Sequence, residues 1–318
     1  MKILNKIKGI VIGLLNVYDE IKIMKQKIDL LQKSVGRVES YQKLSEDSND
    51  IHKNEFQVYS QWGEDGIIQF LINKVPIEGK IFVEFGVENY LESNTRFLLQ
   101  NNNWAGLVID SLPENIKYIK NDQIYWRYKL KAECSFIDKD NINSILRKSG
   151  ISGDIGLLSI DIDGNDYWVW EAIECVNPRI VICEYNSTFG YKRKVVIPYD
   201  KNFEISKAHF SYLYYGASIA ALTDLAKKKG YELVGSNSNG CNVFFVRKDL
   251  VGDLPIYSVE QAYIKAKFRN SRDEDGNLSF LDFEQRLNQI SELPLYDLDL
   301  GVIIKVEELS QKLNENQL

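Results

Sequence analysis

The stretch "LLSIDIDGNDYWVW", Leu157 to Trp170, passes from an apolar run through three carboxylates into a cluster of rings. Leu157 to Ile160 read as a buried strand, because a short continuous apolar run bounded by turn residues suits that role. Asp161 and Asp163 alternate with Ile160 and Ile162, so both are expected to point the same way from the strand end. Gly164 permits a turn, and Asn165 or Asp166 can cap a helix that starts near Tyr167. Asp166 therefore reads as structural, and most of the rings at 167, 168 and 170 read as packing. A strand that delivers acids to a turn and continues into a helix is one unit of an alternating α/β chain.

The same unit recurs on either side. "KIFVEFGVEN" is a strand ending in Glu84, Phe85 and Gly86, ahead of the helical "SNTRFLLQNN". "WAGLVIDS" ends in Asp110, ahead of "ENIKYIKND". "IYWRYKLKAE" reads as a third strand before the helix "NINSILRKSG". After the opening stretch, "RIVICEYNS" ends in Glu184 and Asn186. A helix from about Asp65 precedes the first strand, and "GYELVGSNSNGCNVFFVR" reads as a closing antiparallel hairpin. The order predicts a mostly parallel sheet covered on both faces. In such sheets ligands bind beyond the carboxyl ends of the strands. Glu84, Asp110, Asp161 and Glu184 all fall there.

Composition narrows the function. A net charge of −6 argues against a nucleic-acid binder. The four cysteines, at 134, 175, 183 and 241, form no CxxC pair, and the two histidines, His52 and His209, cannot form a His-based metal motif. Cysteines in or near apolar runs suit a reducing, cytoplasmic setting.

With these residues in view, the run from "VYSQWGEDG" to "NVFFVR", roughly residues 57 to 248, resembles bacterial FkbM-type S-adenosylmethionine-dependent methyltransferases. The resemblance implies a Rossmann-like class I methyltransferase fold and S-adenosylmethionine as cofactor. It is carried by "VEFGVEN", with Glu84 and Gly86 in place and Glu88 where a second Gly often stands, and by "IDIDG". It implies that Gln61 and Glu84 contact the methionine end of the cofactor, that Gly86 lets the backbone approach it, and that Asp110 takes the ribose hydroxyls. It also implies an acid at Asp161 facing the transferred methyl. By likeness to sugar and catechol O-methyltransferases, Asp161, Glu184 and Asn186 are candidate ligands for Mg²⁺, a hard cation that takes oxygen donors. In a metal-free version, Asp163 or His209 acts as general base. The acceptor implied is a sugar hydroxyl in surface-glycan or secondary-metabolite assembly.

Two other readings stay open. Asp161-Ile-Asp163 is also an Asp-x-Asp that can hold a metal and a nucleotide sugar, as in glycosyl transfer. Glu88 in the cofactor turn keeps alive a catalytically inactive scaffold. Lys192, Arg193 and Lys194 can hold a phosphate or form a solvated face, and Tyr199, Tyr212, Tyr214 and Tyr215 can stack on sugar rings. "DEDGNLSFLDFE" places acids as a calcium loop does, but Leu278 occupies the position that needs Gly, so it reads as a turn.

The front of the chain differs in kind. Apolar residues recur from Ile3 to Val38 with spacings of four and three, a heptad repeat that predicts a coiled coil and a homo-oligomer through residues 3–38. The alternative is an amphipathic helix folded back on the domain. Lys2, Lys6 and Lys8 beside apolar residues leave open a peripheral contact with an anionic membrane, at its cytoplasmic face. The expected layout is a coiled-coil helix over 1–44, a linker over 45–56, the α/β domain over 57–249 and a mostly helical extension over 250–318.

Overall fold

The computed structural model describes residues 2–46, 48–267 and 271–311. A single helix, α1 (Lys2–Ser45), leads into α2 (Glu64–Lys74). The alternating part follows as β1 (Ile81–Phe85), α3 (Arg96–Asn102), β2 (Ala105–Asp110), α4 (Pro113–Asn121), α5 (Gln123–Arg127) and β3 (Leu130–Cys134). It continues as α6 (Ile142–Lys148), β4 (Gly153–Ile160), α7 (Asp166–Ala172) and β5 (Val176–Glu184). Next come β6 (Val195–Val196), α8 (Ile205–Ala208), α9 (Ile219–Lys228) and the hairpin strands β7 (Tyr231–Ser236) and β8 (Asn242–Arg247). The chain closes with α10 (Val259–Ala262), α11 (Phe283–Gln289), β9 (Pro294–Asp297), β10 (Val302–Lys305) and α12 (Glu308–Gln311).

Seven strands form one sheet in the order β3-β2-β1-β4-β5-β8-β7. The first five are parallel; β8 runs antiparallel to β5, and β7 antiparallel to β8. Strand order reverses between β1 and β4, which opens a crevice at their carboxyl ends. The strands are apolar throughout because both faces are covered. Val83, Phe85, Leu158, Ile160 and Val181 pack on one face with Tyr167 and Trp170. Phe82, Leu157, Ile180 and Ile182 pack on the other with Trp104. The period of two in this alternation is that of a strand.

Two segments depart from the sequence reading. "IYWRYKLKAE" is not all strand: Asp122 caps α5 by accepting from the backbone N of Ile124, and β3 starts only at Leu130. Its aromatic and β-branched residues resemble a strand, but the cap sets the local structure. Among its described residues, the region from 250 is not mostly helical. It supplies β9 and β10, which pair with β6 in a three-stranded antiparallel sheet. Phe189, Val195, Ile197 and Leu213 join Ile290, Leu295, Ile304 and Val306 in a third core there. The "DEDGN" segment is a turn, with Asp273 accepting from the backbone N of Asp275 and Asn277.

Candidate active site

The loop after β1 is shaped by backbone crowding. Gly86 has φ +69°, and a Cβ there would lie 1.6 Å from the carbonyl O of Asp161. Only glycine permits that approach. The sequence reading assigned Gly86 to cofactor contact; it lines the cleft, yet its closest constraint is the Asp161 loop. Glu88 adopts φ +46°, a left-handed conformation that disfavours a side chain, which gives a local reason for glycine at such a position. Its backbone N donates to Asp110 Oδ2 at 2.8 Å and ties the ends of β1 and β2 together.

Asp110 also accepts from Leu112 N at 2.8 Å and Asn115 Nδ2 at 3.0 Å, both on Oδ1. Three of its four or so acceptor positions are thus occupied, and one on Oδ2 remains. Around it lies a cleft of about 420 Å³ that crosses the ends of β1, β2, β3 and β4. Gly86, Glu88, Asp110, Leu112, Asn115, Phe136, Ile137, Ile162, Asp163, Asn165 and Phe203 are among its walls, and no Lys, Arg or His among the described residues is. Leu112 and Phe136 present exposed apolar surface there. Asn165 is buried; its Nδ2 donates to Asp200 O at 2.8 Å, while its Oδ1 has no hydrogen-bond partner. Sequence reasoning saw Asn165 as a helix cap only and passed over Phe136, since neither shows a pattern along the chain.

Beside the cleft, one carboxylate oxygen each from Asp161, Asp163 and Glu184 lie within 4.8 Å of one another. Oxygens at about 2.1–2.6 Å from a shared cation span roughly this range. The three acids meet, but not by strand alternation: β4 ends at Ile160, and Asp163 turns back with φ +53°. Burial, with the charges of Asp163 and Asp166, holds the Asp161 carboxyl well above the ordinary range. Burial and the charge of Asp161 do the same to Glu184, against a hydrogen bond with Tyr215. Oε2 of Glu184 is buried without a partner. Asp166 shapes the loop, accepting from Ile162 N at 2.8 Å and Gly164 N at 2.9 Å. It is structural, as expected, although neither it nor Asn165 makes a side-chain helix cap.

Several expected site residues sit elsewhere or are committed to the fold. Asn186 is held by the fold: its Nδ2 donates to the carbonyls of Leu213 and Tyr215, and its Oδ1 accepts from Thr188 N. Glu84 is buried behind the cleft, accepting from Asn94 N, Thr95 N and Thr95 Oγ1. These bonds oppose the burial that pushes its carboxyl up to about 7. Gln61 is exposed and does not line the cleft. Its neighbour Asp65 instead accepts from the backbone N of Val58, Tyr59 and Ser60, each at 2.7 Å, and from Ser60 Oγ. His209 lies outside the cleft wall with Nδ1 on Ser211 Oγ at 2.7 Å, and burial lowers its pKa. Arg193 pairs with Asp297, and Lys194 with Asp224 and Asp299, so these two cations serve the fold. Tyr214 is buried with its hydroxyl on Pro294 O, and Tyr199 stacks edge-on against Trp168.

The sheet order and closing hairpin are the Rossmann-like arrangement of class I methyltransferases. No family model and no curated protein sequence matches the chain, so the FkbM-type resemblance stands on the motifs alone. Among solved structures, the fold is similar to the N-terminal domain of EvdMO1 with SAH bound, at 11% identity and TM-score 0.39, over 58% of this chain and 80% of that one. It is also similar to an S-adenosylmethionine-dependent methyltransferase from Clostridium acetobutylicum ATCC 824, at 11% identity and TM-score 0.37, over 57% and 89%. A third is TrmK of M. capricolum with S-adenosyl-homocysteine, at 10% identity and TM-score 0.35, over 64% and 77%.

Proposed function

We propose that the chain is an S-adenosylmethionine-dependent O-methyltransferase that acts on a sugar hydroxyl. One observation carries the reading: the cleft wall is rich in acceptors and, among the described residues, has no cationic side chain. Glu88, Asp110, Asp163 and Asn165 border a space that Leu112 and Phe136 also line. Such a wall suits a ligand with a positive charge, an amino group, ribose hydroxyls and a flat base. In this reading Asp110 and Glu88 take the ribose hydroxyls, Leu112 and Phe136 cover the base, and Asn165 accepts from the amino end. When bound, the cofactor supplies a methyl group on a positively charged sulfur.

The protein's part is alignment and proton removal. Asp163 is the member of the acid trio on the cleft wall, and it receives the proton of the acceptor hydroxyl. Asp161, Asp163 and Glu184 are the residues that would hold a divalent cation, which would lower the pKa of a bound hydroxyl. The sugar is the acceptor class that the FkbM-type motifs imply. The acid trio is also what a metal-dependent glycosyltransferase needs. A diphosphate, however, would meet the acids Glu88, Asp110 and Asp163 with no Lys or Arg among the described lining residues to receive it.

Calorimetry separates these readings. Heat with S-adenosylmethionine and none with UDP-glucose is expected; tight UDP-glucose binding with a silent S-adenosylmethionine titration overturns the proposal. Silence with both favours the inactive scaffold. Transfer of labelled methyl to a panel of sugar nucleotides then reports the acceptor. Activity unchanged by EDTA and by Asp161→Asn removes the cation.

A further inference from the structure

The helix α1 carries two faces of opposite character. Asp29, Lys33, Gly36 and Ser40, spaced four, three and four residues apart, form the face that meets the domain. Tyr59 Oη donates to Asp29 Oδ1 at 2.5 Å, Lys33 Nζ to Gln100 Oε1 at 3.0 Å, and Arg37 Nε to Asn101 Oδ1 at 3.2 Å. A Cβ at Gly36 would lie 2.3 Å from Val58 Cγ2 and 3.2 Å from the Phe97 ring, so the helix backbone sits directly on the domain there. The docking face is polar and small. The apolar face is the other one: Ile7, Leu14, Ile21, Ile28 and Val35, with Ile10, Val17, Met24, Leu31 and Val38 between them, are each more than half exposed.

At 100° per residue these two faces lie on opposite sides of the helix. The seam can therefore be covered without displacing the domain. A contiguous apolar stripe of this length marks an interaction surface.

We propose that this seam pairs, in parallel and in register, with a second copy of the chain. The first reason is the unbroken heptad pattern, with Ile or Val at four of the five positions headed by Ile7. The second is charge. In a parallel, in-register pair the residues flanking the seam meet as Lys6 with Val11, Gly13 with Tyr18, Glu20 with Lys25, Lys27 with Gln32 and Ser34 with Glu39. That set contains an opposite-charge pair, made twice by symmetry, and no like-charge pair. The third reason concerns the rival occupant, an anionic membrane drawn to Lys2, Lys6 and Lys8. The seam continues to Val38, alongside the residues that dock on the domain, where a flat bilayer would collide with it. Among the described residues no helix is long and apolar enough to cross a membrane. Two domains would then sit on the outer sides of one end of the coil, with its first 28 or so residues projecting by roughly 40 Å.

Sedimentation of the full chain tests this. A species of twice the 36.7 kDa chain mass is expected. Glu20→Lys and Lys25→Glu should each weaken it about tenfold, and the double variant should restore it, a rescue that membrane binding would not show. Ile21→Cys in a Cys134→Ser background should cross-link to a dimer on oxidation, because a parallel register puts the two thiols side by side. Ile21→Asp should give monomers whose domain melts at an unchanged temperature. A wild-type monomer at micromolar concentration, charge variants without effect, or a monomer captured by phosphatidylglycerol vesicles would each overturn the proposal.

Discussion

Two sets of acids in the α/β domain are built in opposite ways: Asp65 and Glu84 are buried, whereas Asp161 and Glu184 are half-buried and Asp163 is exposed. Asp65 and Glu84 are each surrounded by donors, four for the first and three for the second. Asp161 and Asp163 meet each other's charge with no donor among the described residues; Glu184 Oε2 lacks a partner, as does Asp65 Oδ1, since all four donors to Asp65 fall on Oδ2. Burial raises the pKa in both sets: Asp65 is pushed up to about 6 and Glu84 to about 7, while Asp161 and Glu184 stand well above the ordinary range. A raised pKa therefore does not separate structural acids from functional ones here. The supply of donors does. Asp65 and Glu84 hold loops together; Asp161 and Asp163 are left without protein donors, open to another positive charge or to a proton.

The comparison breaks most visibly at the trio. Asp163→Asn is expected to lower methyl transfer by roughly 10²–10⁴-fold, as loss of a general base does. In EDTA its melting temperature should hold or rise, because a like charge has been removed. A large fall in melting temperature would show that Asp163 serves the fold instead. Asp65→Ala should do the reverse. It strands three backbone N–H groups and a hydroxyl, and is expected to cost about 3–5 kcal/mol in urea denaturation.

Glu84 sharpens the contrast through pH. Its folded pKa lies above the unfolded one, so its contribution is fully present below about pH 4.5 and is lost as pH rises through about 7. Wild-type stability should fall across that window by about 3 kcal/mol from this group, and Glu84→Gln should flatten the fall. Equal slopes for the two proteins would show that its three donors outweigh burial. Asp166 stands between the sets, holding two backbone groups of the loop that carries Asp161 and Asp163. Asp166→Asn should show both effects in small measure, about 1–2 kcal/mol of stability and a several-fold loss of turnover, read in the same two assays.

The frame of the molecule was readable from the chain because both causes are local. Apolar runs such as "IFVEF" and "LLSI" can only be buried strands, and each ends where an acid meets a turn. Which acid does what was not readable. Glu84 and Asp110 look alike in sequence, but the donors that saturate Glu84 come from Asn94 and Thr95, ten residues on. Nothing along the chain shows that the loop near 213–215 takes up the Asn186 amide. Asp161 and Asp163 were paired correctly for a reason that does not apply, since the left-handed turn at Asp163 brings them together. The strands β9 and β10 are four residues each, too short for a period to show.

The third core bears on how this protein can be cut. Composition draws a boundary near 250, and a chain ended there would seem to keep every residue of the cleft. It would also strip Ile290, Leu295, Ile304 and Val306 from Phe189, Val195, Ile197 and Leu213, and take Asp297 from Arg193. The stretch so uncovered follows directly from β5, whose last residue is Glu184. The described residues beyond 250 thus form one core with the segment that follows Glu184, and a shortened chain has to retain them to keep that segment covered.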